Sequence, residues 1–315
     1  MAIATPSATV FPSSTASTAP KAAPHEDLVH QQLRTAKITG LNVVSWSRPG
    51  FFRATVERPH AEGSVEVLMM LALQQQPTAL RKPLAVTRLA WALGLHVVPA
   101  TIVRQVSTAE LGAAAATDAR LLAYLSTQAA IQNDGTIDAL VMAPSCGDAA
   151  TAWQTITRRD VDFDKAAEPR SWARAAASLE PLPGENTKLL RDYVEVLVLD
   201  YLAENGSHRG VLVDDATSTM MITEIDGAFP SKHFPHIENR LLEALKPVLR
   251  FPRGLRVALT QFDRARAREV FLSGTFDTWI LSPRTLILID ERRLSLLTLL
   301  EARIAEYGEQ AVLSL

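Results

Sequence analysis

A single cysteine, Cys146, stands in the 315 residues of this chain, so no intrachain disulfide can form and no Cys-x-x-Cys metal site exists. Neither sign of charge is in excess: 32 basic and 34 acidic side chains leave a formal net charge of -2. With no basic stripe either, nucleic acid is not an expected partner. No apolar run approaches the roughly 18 residues of a membrane span; Val194 to Leu202 is too short and carries Glu195 and Asp200. The phosphate loop G-x-x-x-x-G-K-[ST] is missing, Ser145 lacks a G-x-S-x-G setting, and no H-E-x-x-H occurs. Those absences exclude a P-loop enzyme and disfavour serine and zinc hydrolases. His233-x-x-His236 has the spacing of one helical turn, yet Pro235 between them suits a loop with exposed histidines around Phe234. Lack of cysteine suits a cytoplasmic protein, with export through the N-terminal tail left open.

What the chain does have is apolar residues, 47% of the total, enough for a substantial core. Residues 1–24 are mostly Ala, Ser, Thr and Pro, a composition that predicts a disordered tail. Strand-like runs follow at Leu41–Val44, Phe51–Glu57, Ser64–Ala72, His96–Val103 and Ala139–Ala143. A helix is expected over Leu84–Leu95, with Gly94 placed to end it. The Ala-rich run Ala109–Ala130 reads as helix or inserted loop. After Pro144-Ser145-Cys146-Gly147 the pattern becomes helical, over Ser171–Leu179, Lys188–Glu204, Ile237–Leu249, Gln261–Leu272 and Glu291–Tyr307. A β-rich first half and a helical second half predict an α+β fold of two lobes, residues 25–146 and 147–315.

One stretch carries the functional reading. In Val194–Phe229 an amphipathic helix ends at Asn205-Gly206, a polar loop follows, and β-rich runs separated by a turn at Asp214-Asp215 close on Ile225-Asp226-Gly227. That is the layout of a kinase catalytic loop leading to a metal-binding Asp-x-Gly. LAVTRLAWALGLHVVPATIVRQV (Leu84–Val106) resembles the R-L-x-x-x-L-G-L-x-x-V-P-x-T helix and strand of bacterial kinases similar to phosphatidylinositol 3- and 4-kinases. That wider group includes HipA-like and Fam20-like kinases. LDYLAENGSHRGVLVDD (Leu199–Asp215) and Ile225–Phe229 are similar to the group's D-Y-L-x-x-N-x-D-R-H-x-x-N loop and I-D-x-G-x-A-F. Glu291–Leu313 is similar to its C-terminal helix.

The resemblance implies a two-lobed protein-kinase-like fold that takes ATP and Mg. It also exposes departures. Asn205 matches the first loop Asn, but Ser207 stands where the base Asp is usual, with His208-Arg209 in place of Arg-His. The second metal-binding Asn falls at Val211. The strand Lys falls at Met69 or Met70, and the helix Glu that would pair with it falls at Pro83. Asp226 is left as the metal ligand, Asn205, Ser207 and His208 as a degenerate loop, and Arg81 and Lys82 as stand-ins for the phosphate-binding Lys. Four coincident losses favour a pseudokinase that binds a protein partner, with nucleotide held weakly if at all. An active phosphotransferase with relocated groups is one alternative, and a scaffold without nucleotide the other. Arg264-x-Arg266-x-Arg268 reads as a solvated helix surface and Trp172 as a core or interlobe aromatic.

Overall fold

The computed structural model describes residues 31, 33–44, 46, 50–57, 63–115, 118–143, 156–160, 167–206, 210–222, 225, 227–272 and 280–315. The expected tail, the boundary at 144–147, Cys146, Ser207, His208, Arg209 and Asp226 lie outside these residues.

Five strands build the first lobe: β1 (Ile38–Val43), β2 (Phe51–Glu57), β3 (Ser64–Leu71), β4 (Ala100–Ser107) and β5 (Thr136–Ala143). They form one antiparallel sheet in the order β1-β2-β3-β5-β4. Alternation sorts the side chains to two faces. Phe52, Ala54, Val56, Val67, Met69, Ile102, Val106, Ala139 and Val141 share one buried cluster. Helices α2 (Thr108–Ala114) and α3 (Ala119–Gln128) supply Leu111, Leu121 and Leu125 to it. Each helix starts at a side-chain cap: Ser107 accepts from the Glu110 amide and Asp118 from the Leu121 amide. The Ala-rich run is thus two capped helices. Arg104 on β4 donates to the carbonyls of Leu33 and Ala36 and to Glu110, which also takes the Ile38 amide. These bonds draw the two outer strands of the sheet together around α2.

The opposite sheet face carries Phe51, Met70, Leu140 and Met142, which join a second cluster with α1 (Arg81–Ala92) and the helices of the other lobe. Helix α1 buries Pro83, Leu84, Ala85, Val86, Thr87, Leu89 and Ala90, and Gly94 just beyond it has φ +66, a left-handed conformation open to glycine. Arg81 and Lys82, expected just before this helix, form its first turn. The strand expected at His96–Val103 begins only at Ala100. Val97 and Val98 are buried between the lobes, and the Val97 carbonyl accepts the Ile222 amide. Pro99 has no N–H to give a ladder, which explains the late start.

The second lobe is organised on α5 (Thr187–Ala203), whose residues from Tyr193 to Ala203 are all buried. Around it lie α4 (Ala167–Ala176), α6 (Pro235–Leu245), α7 (Leu255–Gln261), α8 (Arg264–Phe271), α9 (Pro283–Tyr307) and α10 (Glu309–Val312). A small antiparallel sheet, β6 (Ile156–Asp160), β7 (Gly210–Asp214) and β8 (Thr219–Met221), lies beside the first half of α5, where Asp192 accepts the Met220 amide. The helix expected over Gln261–Leu272 is two helices: Asp263 has an extended backbone and caps α8 by accepting from the Arg266 amide at 2.8 Å. Arg264 and Arg266 pair with Asp290 and Glu269, as suits a solvated surface. Trp172 packs on Tyr193 at 5.8 Å between ring centroids, in the core cluster that both lobes share. Among the described residues, no helix is long and apolar enough to cross a membrane.

Candidate functional site

The floor of the interlobe cleft begins where α5 ends. Its cap is Glu204, at φ 50 and ψ 43, a left-handed conformation that glycine or asparagine would adopt more cheaply. The sequence suggests Asn205-Gly206 for that turn; the structure puts the left-handed residue one position earlier. Three groups hold Glu204 there through its carboxylate. Its carboxylate accepts the Phe234 amide at 2.7 Å and Arg292 Nη1 at 2.8 Å, and lies 3.1 Å from His233 Nδ1. Arg292 also donates from Nε to the Leu202 carbonyl, satisfying one of the orphan carbonyls at the end of α5. Glu204 and Arg292 are both 2% exposed.

Asn205 follows, buried, with its carboxamide donating to Asp200 Oδ1 at 3.0 Å. The side chain therefore points into the second lobe. Gly206 leaves no room for a side chain, since a Cβ there would sit 2.5 Å from Ile237 Cγ2. Val211, at the position of the second metal-binding Asn, is a buried core residue of β7. Asp214 ends that strand and accepts from the Ala216 amide, making the expected turn before β8.

The later motif returns to the same place. Phe229 donates its amide to the Ala203 carbonyl at 2.7 Å and has φ 48. Its ring packs edge-on against Phe271 at 6.3 Å. Ile225, Ala228 and Phe229 are buried, and the Ala228 amide donates to the Ile225 carbonyl.

Glu204, His233 and Glu238 also form the one group among the described residues whose ligand atoms approach within 4.8 Å of one another. His233 thus pairs with carboxylates, and Pro235 starts α6 in place of the expected loop. Arg292 reaches both Glu204 and Glu238, at 2.8 and 3.5 Å, so the cluster already contains its own cation. Its two carboxylates thus face a guanidinium that already balances their charge.

Register separates the two methionines: Met69 belongs to the cluster under α2 and α3, whereas Met70 joins the cluster beneath α1. Met70 is thus the one of the two that faces α1, and Pro83 is buried at the start of α1. Arg81 and Lys82 are half-buried in that first turn. At the β1–β2 turn, Trp46 stacks under the Arg120 guanidinium at 3.9 Å and edge-on to Tyr124 at 5.7 Å, which pins the turn to α3.

Two contacts fix α1 to the second lobe. Arg88 donates to the Val270 and Leu272 carbonyls at the end of α8, and burial depresses its pKa from the ordinary value. Beyond α1, the buried Glu195 accepts the His96 amide at 2.6 Å and faces the His96 ring. Hydrogen bonding to Glu195 raises the His96 pKa above its ordinary 6.5, with Asp192 adding to the effect and Arg191 opposing it. A raised histidine pKa stabilises the fold below pH 6.5, and that contribution disappears as pH rises through the folded value. His96→Asn should therefore cost stability at pH 5.5 and much less at pH 8.5, as read by urea midpoints. The difference should stay under about 1 kcal/mol because the ring is largely exposed.

Fold and cleft together define a two-lobed, kinase-like α+β protein. No protein-family model matches the chain, and no curated protein matches it in sequence. Several solved structures are similar, three of them as follows. Hydra Fam20 with sugar has a TM-score of 0.58 at 15% identity, over 90% of each chain. The Golgi casein kinase has a TM-score of 0.57 at 13% identity, over 90% of this chain and 77% of that one. The same kinase with Mn/ADP bound has a TM-score of 0.57 at 12% identity, over 91% and 78%.

Proposed function

We propose that the protein is a catalytically impaired kinase homologue of the bacterial phosphatidylinositol-kinase-like group, acting by binding a protein and, weakly, a nucleotide in its cleft. Met70 is the observation that carries this reading. It is the β3 side chain on the α1 side of the sheet, it is 6% exposed, and it offers phosphate no charge. The buried Val211 supports the same conclusion, since its side chain offers a metal no ligand atom. A nucleotide here would draw on Asp226 for metal, on Arg81 or Lys82 among the cations within reach of phosphate, and on Asn205 or His208 near an acceptor. The lobes divide at 25–146 and 147–315, and the protein is cytoplasmic.

A second reading, an active phosphotransferase, draws on backbone strain. Glu204 and Phe229, both non-glycine at positive φ, flank the loop and the Asp226 motif. Such residues cost on the order of 1–3 kcal/mol each and cluster at working sites. Thermal shift separates the readings. A ligand at 100 times its dissociation constant adds about 2.7 kcal/mol to stability. Millimolar Mg-ATP should raise the melting temperature of the wild type, and Asp226→Ala should abolish the metal-dependent part. Absence of any shift would reject both readings and leave a scaffold that takes no nucleotide. Phosphate transfer that survives purification and is lost in Asp226→Ala would make the protein an enzyme.

A further inference from the structure

The first lobe's sheet carries two cations among its strand residues, Arg53 on β2 and Arg104 on β4. Arg104 faces α2 and is 9% exposed, its Nη atoms engaged by the Leu33 and Ala36 carbonyls and by Glu110. Arg53 lies on the other face. Strand register sets Phe51 opposite Met70, Arg53 opposite Leu68 and Thr55 opposite Glu66. Leu140 and Met142 on β5 continue the first two rows. Phe51, Met70, Leu140 and Met142 are buried under α1 and the second lobe, so this is the face that looks toward the cleft. Toward its outer end the face opens, and there Arg53 is 57% exposed, 3.4 Å from Glu66, itself 41% exposed.

We propose that Arg53 is the phosphate-binding cation of the cleft and that Glu66 is its resting partner. The inference rests on the nucleotide-binding reading and supplies the charge that β3 lacks. Arg53 extends from the same face as Met70, one strand away and one row further out. The Arg53–Glu66 pair crosses between adjacent strands in solvent, where an ion pair is weak and exchanges readily. A polyphosphate offers the guanidinium a planar, two-pronged partner of higher charge than one carboxylate. Glu66 can turn to water when Arg53 is taken, because it is already partly exposed. Bound phosphate would then repel Glu66, so the same pair limits affinity.

Tripolyphosphate and ATP, each with and without Mg, should be titrated calorimetrically into the wild type, Arg53→Ala, Arg53→Lys, Glu66→Gln and the double variant Arg81→Ala/Lys82→Ala. Loss of the Arg53 guanidinium should weaken binding of both probes about tenfold or more, as expected for a charge-assisted contact. Arg53→Lys should recover part of that loss, because lysine keeps the charge without the fork. Glu66→Gln should bind at least as tightly as the wild type, and the double variant should lose less affinity than Arg53→Ala does. Unliganded melting temperatures of the Arg53 and Glu66 variants should match the wild type, since both side chains are exposed. Wild-type binding that Arg53→Ala leaves unchanged, or that only the double variant loses, overturns the assignment and spares the nucleotide reading. Binding of neither probe to the wild type overturns both.

Discussion

Arg292→Met is expected to cost about 3–5 kcal/mol of stability, the range for breaking a buried ion pair by removing one partner. The argument starts from what remains. Glu204 would keep its carboxylate in a place 2% exposed, with only the Phe234 amide and His233 to stabilise it. The Leu202 carbonyl would lose the Nε donor at the end of α5, where no helical amide can replace it. Glu238, 3.5 Å from the guanidinium, would face Glu204 with no intervening charge. Met has nearly the volume of the Arg stem, so lost packing is a minor part of the effect. Urea unfolding followed by circular dichroism should show the drop. The double variant Glu204→Gln/Arg292→Met should recover a large part of it, because no buried charge is then left alone. A loss no greater in the single than in the double variant would mean that the pair contributes only bulk.

Phe271→Ala should produce a loss of similar size, about 3–5 kcal/mol, typical of a large buried aromatic truncated in a core. Phe271 is 0% exposed and packs edge-on with Phe229 and Phe262, each at 6.3 Å. Its effect should also reach the cleft from two sides. Phe229 would lose the ring that backs its φ 48 conformation, two residues beyond Gly227. The flanking carbonyls of Val270 and Leu272, which receive Arg88, would lose the anchor of the helix end that presents them. Hydrogen exchange should accelerate at residues 227–229 and in α1 as well as in α8. Acceleration confined to α8 would show that the substitution acts locally.

Much of the fold was legible because periodicity reports burial. Tyr193, Val194, Leu197, Val198, Tyr201 and Leu202 mark α5 at helical spacing, and all are buried. The strands β2, β3 and β5 were equally clear from β-branched and aromatic runs. Errors fell where an apolar residue served tertiary contact in place of a ladder. Val97 and Val98 look like strand but fill the space between the lobes. The break at Phe262-Asp263 had a readable signal, an Asp at a cap position, which the continuous charge pattern of Arg264 to Arg268 obscured. At the site, the resemblance left Met69 and Met70 equivalent as the expected strand-Lys position; the two fall in different clusters, on opposite faces of the sheet. Arg292 was invisible as a site residue, because a charged side chain in ERRLSLLTLLEARIAEY looks like helix surface. Nothing local states that this position faces Glu204, 88 residues away.

The shared cluster beneath α1 has a consequence for how this molecule can be divided. Phe51, Met70, Leu140 and Met142 from one lobe and Val194, Leu197 and Val213 from the other belong to the same apolar core. A first lobe alone would show the whole underside of its sheet, and most of α1, to water. Each half therefore serves as the other's solvent shield. Gene fusions, deletions or proteolytic cuts near the boundary would strand both, so this architecture is inherited whole or lost whole.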